Sequence, residues 1–251
     1  MKVIVIANQK GGIGKTTTAV AVASVLNSKG YKTLLIDADQ QGNSTDTFRA
    51  QVEGETTLYD VLLDGYVPLN EAIQKLDSGD IVASDPLLRE GDAKLSGDAE
   101  GEYRMLNAIE GLKGYDYVII DTAPAVNLIL RNCLIAADEV VIPVTADRYG
   151  LQGLAQLTGT INAIQKRQNK KLKIAGLLLV KFNSRTNLSK EVKDSLTSIV
   201  ESMNTKLFET TIRESTKAKE AQALRTTLVD YAPSSTTAKD YEAFVEELIG
   251  G

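Results

Sequence analysis

The feature that most constrains this chain is a glycine-rich segment that directly follows an apolar run near the N-terminus. The apolar run, residues 3–7, predicts a buried strand. A loop between a buried strand and a helix start directs several backbone N–H groups to one point, where the helix dipole adds positive potential. The pattern is therefore typical of an α/β sheet with a polyphosphate site. The segment reads Gln9-Lys10-Gly11-Gly12-Ile13-Gly14-Lys15-Thr16-Thr17.

The residue types of this loop match separate parts of a nucleoside triphosphate bound with Mg²⁺. The three glycines let the backbone approach phosphate closely, and Lys15 can reach the β- and γ-phosphates. The hydroxyl of Thr16 is suited to Mg²⁺, and that of Thr17 is suited to the α-phosphate. We therefore predict ATP and Mg²⁺ as cofactors, with nucleotide contacts along the whole loop.

The loop departs from the common pattern G-x-x-x-x-G-K-[ST], because Gln9 stands where the first glycine should be. The variant K-G-G-x-G-K-[ST]-[ST] resembles the deviant Walker A motif of the ParA/MinD family of P-loop ATPases. In that family the first lysine, here Lys10, reaches across a dimer to the partner's nucleotide. The resemblance thus implies catalytic roles for Lys10 and Lys15 and an ATP-bound homodimer.

Two further apolar strands end in carboxylates. Residues 34–39 end in Asp37 and Asp39, and residues 117–121 end in Asp121. Ligands of parallel α/β sheets bind at the carboxyl ends of the strands, so we expect these aspartates beside Mg²⁺ and the γ-phosphate. Asp121 is interpreted as a Walker B carboxylate that holds Mg²⁺ through water.

Both segments also resemble the switches of the ParA/MinD family. Residues 37–43 are similar to its D-x-D-P-Q-G-N switch I, with Gln40 in place of the usual proline. By this resemblance Asp39 is catalytic and orients the attacking water, while Asp37 helps to position the metal. The resemblance assigns these residues to the two switches: Asp39, Gln41, Gly42, Asn43, Thr122, Ala123 and Pro124.

Composition mainly excludes other classes of protein. The chain has no histidine, which removes an imidazole base and a histidine metal site, and its one cysteine cannot build a disulfide framework. Neither an apolar stretch of about 20 residues nor a basic leader is visible, so we expect a cytoplasmic protein with no membrane partner.

Periodicity along the chain predicts alternating strands and helices. We expect a mostly parallel, doubly wound sheet flanked by helices, which is the P-loop NTPase fold. The 251 residues are predicted to form a single domain, 1–251, with no N-terminal helix-turn-helix. Predicted strands cover residues 2–7, 32–37, 80–83, 116–121, 138–144, 173–180 and 207–212. Predicted helices cover residues 15–29, 57–63, 102–112, 127–136, 150–168, 187–203, 215–224 and 237–249.

Charge is distributed unevenly. Residues 163–225 contain 14 Lys and Arg against 6 Asp and Glu, a balance of +8, whereas the whole chain carries −5. A basic region on an acidic protein suggests duplex DNA as a partner, with ordinary solvated helix faces as the alternative. The exposed members are predicted to be Lys181, Arg185, Lys190, Lys193, Arg213, Lys217, Lys219 and Arg225.

The resemblance to ParA proteins covers essentially the whole chain and is carried further by residues 137–144, 150–154, 182–187, 211–213, 220–221 and 238–241. It implies a short partition ATPase, nucleoid-associated, that binds nonspecific DNA as an ATP-bound dimer and is stimulated by a ParB-like partner. It also suggests adenine contacts at Asn183 and Ile212 and DNA contacts at Arg185 and Arg213. The alternatives are a MinD-like membrane-cycling ATPase, disfavoured by the acidic residues 241–249, a positioning ATPase for another large assembly, and an iron-protein reductase.

Overall fold

The computed structural model describes residues 1–146, 153–183, 196, 199–201 and 203–250. Their centre is a seven-stranded sheet with the order β3-β4-β2-β5-β1-β6-β7, parallel except for the antiparallel β3–β4 pair. This is the predicted fold class. The strands are β1 Lys2–Ile6, β2 Thr33–Ala38, β3 Ile73–Leu76, β4 Gly79–Val82, β5 Tyr117–Thr122, β6 Glu139–Thr145 and β7 Lys173–Val180.

Helices cover both faces of the sheet. They are α1 Lys15–Ser28, α2 Asn43–Phe48, α3 Leu58–Leu62, α4 Gly91–Ser96, α5 Arg104–Glu110, α6 Leu128–Ala136, α7 Leu154–Arg167, α8 Thr216–Ala223, α9 Leu228–Tyr231 and α10 Thr236–Gly250. Short 3₁₀ helices span Leu69–Ala72, Pro86–Glu90 and Gly101–Tyr103.

Alternate residues of the central strands supply two separate cores. Val3 and Val5 of β1 pack with α3, α5, α6 and α7, whereas Ile4 and Ile6 pack on the other face with α1 and α10. Strands that are buried on both faces have continuous apolar sequences, because the side chains on both faces are shielded from water. This explains why β1, β2 and β5 were predictable from sequence.

The segment 207–212 is not a strand, contrary to the prediction. It runs beside β7 and makes only isolated contacts, with Phe208 N–H donating to Leu177 O (2.9 Å) and Ile212 N–H donating to Leu179 O (2.8 Å). Between these two hydrogen bonds the segment advances by four residues, from Phe208 to Ile212, while β7 advances by two, from Leu177 to Leu179. This mismatch prevents a regular ladder. The apolar pattern reflects the burial of Phe208 and Ile212 rather than strand pairing.

Candidate active site

The site lies where three neighbouring strands end. In the sheet order β2-β5-β1, Asp37 and Asp121 are directly paired across β2 and β5, and Asp121 is paired with Ile6 across β5 and β1. The glycine-rich loop follows β1, and the two carboxylate segments follow β2 and β5. The three predicted segments therefore meet at one edge of the sheet, as the strand order requires.

The loop after β1 wraps around a buried lysine. Gly12 (φ 68°) and Gly14 (φ 102°) adopt left-handed conformations that favour glycine. Lys15, the first residue of α1, is only 6% exposed, and its Nζ donates a hydrogen bond to the carbonyl of Lys10 at 3.2 Å. Burial lowers the pKa of Lys15, and the nearby carboxylates of Asp121 and Asp39 oppose that shift.

Asn8 and Thr145 hold the start of this loop. The Asn8 side chain accepts a hydrogen bond from Lys10 N–H (3.0 Å) and donates one to Pro143 O (2.7 Å), which ties the loop to β6. Lys10 Nζ donates to Thr145 Oγ1 at 3.2 Å. The ammonium of Lys10 therefore lies along the end of β6 within its own chain.

The side chain of Asp37 accepts hydrogen bonds from the segment that follows it. The side chain is fully buried, and its carboxylate accepts hydrogen bonds from Asp39 N–H (3.2 Å), Thr45 N–H (2.8 Å) and Thr45 Oγ1 (2.8 Å). Burial and then the charge of Asp121 raise the pKa of Asp37 to about 7. Sequence reasoning missed Thr45, although this hydroxyl follows the switch segment directly.

Asp121 carries a free acceptor. Its Oδ2 accepts a hydrogen bond from Ser44 Oγ at 2.8 Å, whereas its Oδ1 is buried and accepts none from the described residues. Burial raises the pKa of Asp121 to about 6, and the hydroxyls of Thr16 and Ser44 partly offset the shift. A buried carboxylate oxygen with no donor fits a cation better than it fits an apolar interior.

The donor set also suits Mg²⁺ in particular. Among the described residues, no group of three or more His, Cys, Asp or Glu side chains forms a metal cage. Mg²⁺ does not need one, because it is usually held by one or two carboxylates together with water and substrate phosphates. The oxygens available here come from Asp121, from Thr16 and from a bound nucleotide.

Asp39 stands at the mouth of the site. It is 5% exposed, its Oδ1 accepts a hydrogen bond from Gln41 N–H at 3.0 Å, and its carbonyl accepts one from Ser84 Oγ at 2.6 Å. Ser84 in turn donates its backbone N–H to Thr45 Oγ1 at 2.8 Å. The end of β4 thus braces the switch I segment, a contact that the sequence did not reveal.

A cleft of about 360 Å³ opens above these residues. Most of the predicted nucleotide and switch residues line it, whereas Asn183 does not, and Asp37 and Asp121 lie buried beneath it. The predicted residues that line it are Gly11, Gly12, Ile13, Gly14, Lys15, Thr16, Thr17, Asp39, Gln41, Asn43, Pro124 and Ile212. Thr122 is buried, and its hydroxyl donates to Ile6 O at 2.8 Å.

The predicted basic surface is divided. Lys181, Arg213 and Lys219 are exposed but line the cleft, and Lys181 Nζ donates to Gly12 O at 2.5 Å. The others that the structure describes form ion pairs: Lys217 with Glu220 (2.7 Å) and Arg225 with Asp46 (2.7 Å), as Arg213 does with Asp240 (2.6 Å). Arg185, Lys190 and Lys193 lie outside the described residues.

Comparison with known proteins shows which family the chain belongs to. Residues 1–174 match the family model described as AAA domain. The chain is 34% identical over 251 residues to the sporulation initiation inhibitor protein Soj of Bacillus subtilis, covering 98% of each chain. It is 34% identical to the chromosome partitioning protein ParA of Myxococcus xanthus, covering 99% of this chain and 88% of that protein.

The chain belongs to the ParA/Soj family. Solved structures agree: apo McdA of Cyanothece superposes with a TM-score of 0.88 at 27% identity, covering all of both chains. Cobyrinic acid a,c-diamide synthase of Mycobacterium smegmatis with ADP and magnesium superposes with a TM-score of 0.84 at 28% identity, covering 99% of this chain and 94% of that one. Like other ParA/Soj proteins, this one is an ATPase whose cofactors are ATP and Mg²⁺.

Within the part of the chain that the structure describes, no helix combines the length and apolar character needed to cross a membrane.

Proposed function

We propose that this ATPase partitions DNA, either a plasmid or a chromosome, as a switch that dimerises with ATP. The observation that carries the proposal is the near full-length similarity to chromosome-partitioning proteins, including ParA of Caulobacter vibrioides at 33% identity over 255 residues. The variant loop with Lys10 supports the same proposal, because Lys15 already supplies the lysine that a phosphate-binding loop needs and Lys10 is not among the residues that line the cleft.

In the proposed site, the loop amides and Lys15 bind the β- and γ-phosphates, and Thr17 contacts the α-phosphate. Thr16 and the free oxygen of Asp121 would hold Mg²⁺. Mg²⁺ supplies charge neutralisation at the transferring phosphoryl group. Asp37 acts on this arrangement indirectly, since its three hydrogen bonds fix the start of α2.

Asp39 orients the attacking water in this proposal. Its carboxylate lines the cleft and is held by Gln41 N–H, so it faces the space where the γ-phosphate would lie. Hydrolysis of a phosphoanhydride needs little covalent help, and an oriented nucleophile with well-placed positive charge supplies most of the catalysis. Loss of the γ-phosphate would then release the two switch segments.

Lys10 makes the dimer a condition of full activity. We propose that it exchanges its hydrogen bond to Thr145 for a contact with the partner's nucleotide, so that each monomer holds ATP in an incomplete site. The ATP-bound dimer also doubles the basic surface from residues 163–225, which gives avidity for duplex DNA. A ParB-like partner would accelerate hydrolysis and end the DNA-bound state.

The deciding experiment compares binding to duplex DNA and to anionic liposomes, each with ATP and with ADP. We expect the wild-type protein to bind DNA of unrelated sequences with ATP and to leave liposomes unbound. Lys10→Ala should still bind ATP and fail to dimerise or bind DNA. Binding to liposomes alone would favour a MinD-like cycle, and ATP-dependent dimers that bind neither would favour positioning of another assembly.

A further inference from the structure

A pair of arginines links the switch I helix α2 to the basic helix α8. Arg49, the residue after α2, donates from Nε to Arg225 O at 3.0 Å and from a terminal nitrogen to Leu224 O at 3.2 Å. Arg225 donates in return from Nε to Asp46 O at 3.3 Å and pairs with Asp46 Oδ1 at 2.7 Å. We call Asp46, Arg49 and Arg225 the arginine clamp.

The backbone of the clamp is unusual. Arg49 (φ 59°) and Arg225 (φ 51°) both adopt the left-handed conformation, which side chains other than glycine seldom adopt. At Arg49 this conformation ends α2, and the Arg225 residue lies just beyond the end of α8. Both residues end their helices in the same way, with Ala50 N–H donating to Thr45 O at 3.0 Å and Thr226 N–H donating to Ala221 O at 3.1 Å. The clamp therefore joins two helix ends of the same geometry.

Packing alone does not join the two helices. A small cavity of about 30 Å³ lies between them, lined by Thr47 of α2, by Ala218 and Gln222 of α8, and by Thr16 and Thr17 of the nucleotide loop. This volume is about that of one water molecule, so direct side-chain contact is interrupted there. The clamp spans the two helices beside this gap.

Both helices are also walls of the nucleotide cleft. Asn43 at the start of α2 lines it, as do Ala218, Lys219 and Gln222 of α8. Thr16 and Thr17 line the cleft and the small cavity alike, so separation of α2 from α8 would open the phosphate end of the cleft from behind. We therefore expect the distance between these walls to affect how fast a bound nucleotide leaves.

We infer that the arginine clamp consists of positioning residues that hold α2 against α8 and thereby slow nucleotide release. The inference rests on ATP binding alone and does not depend on DNA or on a partner. The clamp residues are well exposed, and Arg225 and Asp46 keep 52% and 57% of their side-chain surface. Exposed ion pairs are individually weak, so we expect a change in rate rather than loss of binding.

The test measures the dissociation rate of fluorescently labelled ADP with Mg²⁺ by stopped-flow displacement. Arg49→Gly removes both guanidinium contacts while relieving the left-handed strain, so a faster release cannot be ascribed to a strained backbone. We expect release about threefold to tenfold faster than in the wild type, with an unchanged or higher Tm. Asn204→Gly is the matched control, because Asn204 (φ 49°) is also left-handed but lies outside the clamp, and it should release nucleotide at the wild-type rate.

Exchange of the two charges of the ion pair distinguishes loss of the clamp contact from a general disturbance of the fold. Asp46→Arg and Arg225→Asp should each accelerate release, and the double variant should recover most of the wild-type rate because the pair is restored with its charges exchanged. Wild-type release in Arg49→Gly, or additive acceleration in the double variant, would overturn the inference. Neither result would bear on the proposed role in DNA partition, which is read from DNA binding.

Discussion

At the residue scale, the site concentrates negative charge that folding alone would not favour. Asp37 and Asp121 are paired across adjacent strands, are fully buried, and have raised pKa values of about 7 and about 6. A pair of buried carboxylates lowers the stability of the protein without a cation, because burial and mutual repulsion disfavour their charged forms. A bound cation would offset that cost. The pair therefore makes the stability of the nucleotide-free protein depend on pH.

The pH dependence of stability follows from the direction of these shifts. Because both folded pKa values lie above the ordinary value of 3.8, the native state binds more protons than the unfolded state between about pH 4 and pH 7. The contribution of this pair is full below about pH 4 and is lost as the pH rises through about 7. Urea titrations of the nucleotide-free protein should show this decline, and a flat profile would contradict the assignment.

Asp121→Asn should stabilise the nucleotide-free protein and inactivate it. The amide removes one buried charge and the repulsion felt by Asp37, so we expect the free energy of unfolding at pH 7.5 to rise by about 1–3 kcal/mol. ATP hydrolysis should fall by about 100-fold or more, because the free oxygen proposed for Mg²⁺ is replaced. Chemical denaturation and a phosphate-release assay test the two effects separately. Ser96→Ala, at the exposed end of α4, is the control expected to change neither.

Asp39→Ala should separate binding from hydrolysis. Asp39 lines the cleft and, among the described residues, its side chain accepts a hydrogen bond only from the nearby Gln41 N–H, so its loss should leave ATP affinity within about threefold of the wild type. Hydrolysis should slow by about 100-fold, and the ATP-bound dimer should persist in sedimentation experiments. Wild-type turnover in this variant would remove Asp39 from the catalytic role.

At the scale of elements, the sequence predicted the strands, helices and loops that local residue patterns determine. It missed those that form because of contacts with distant parts of the chain. The loop between β1 and α1 was predictable because strand, glycines and helix start follow one another within the chain. The strand β3 was missed, since its four residues are only partly buried and are ordered by antiparallel pairing with β4. The helix α2 was missed for a related reason, because Asp37 and Ser84 anchor it from neighbouring strands.

Thr45 is the residue through which that anchoring is testable. Its hydroxyl donates to Asp37 Oδ2 and accepts from Ser84 N–H, both at 2.8 Å, so Thr45→Val leaves the buried Ser84 N–H without its acceptor and removes one of the three hydrogen bonds to Asp37. We expect a loss of about 1–3 kcal/mol in the free energy of unfolding and slower hydrolysis, because switch I is no longer fixed. Thr45→Ser keeps the hydroxyl and should lose much less of both. A loss in Thr45→Ser as large as that in Thr45→Val would contradict this role of the hydroxyl.

At the scale of the whole molecule, the basic region and the nucleotide cleft overlap. Lys181 and Lys219 were predicted from charge as members of a DNA surface, and Arg213 from charge and from the resemblance to ParA proteins, yet all three line the cleft. Sequence could not distinguish these uses, because a lysine that meets a nucleotide phosphate and one that meets a DNA phosphate have the same chemistry. Arg213 also forms an ion pair with Asp240 of α10. Substitutions of Arg213 would therefore disturb the fold around α10 as well as any DNA contact.

DNA binding is therefore best tested at other basic residues of this region. Lys217 keeps 48% of its side chain exposed, pairs with Glu220 at 2.7 Å and lies outside the cleft lining. Arg185 lies outside the described residues but falls in a segment that resembles ParA proteins. Lys217→Ala and Arg185→Ala should each weaken ATP-dependent DNA binding to a similar degree on unrelated sequences, because phosphate contacts carry no sequence information. ATP-driven dimerisation should be unchanged in both. Lys113→Ala, an exposed lysine outside residues 163–225, is the control.

The salt dependence of the same assay shows whether the dimer contacts phosphates from both subunits. If each protomer contributes two cations, roughly four phosphate contacts predict about a 100-fold loss of affinity between about 50 and 200 mM salt. Each alanine variant removes two contacts from the dimer, one from each protomer, and should therefore lower the slope of log affinity against log salt by about 1.8. A variant that weakens binding without changing this slope would act through the fold rather than through DNA. An affinity that is independent of salt would exclude an electrostatic DNA surface altogether.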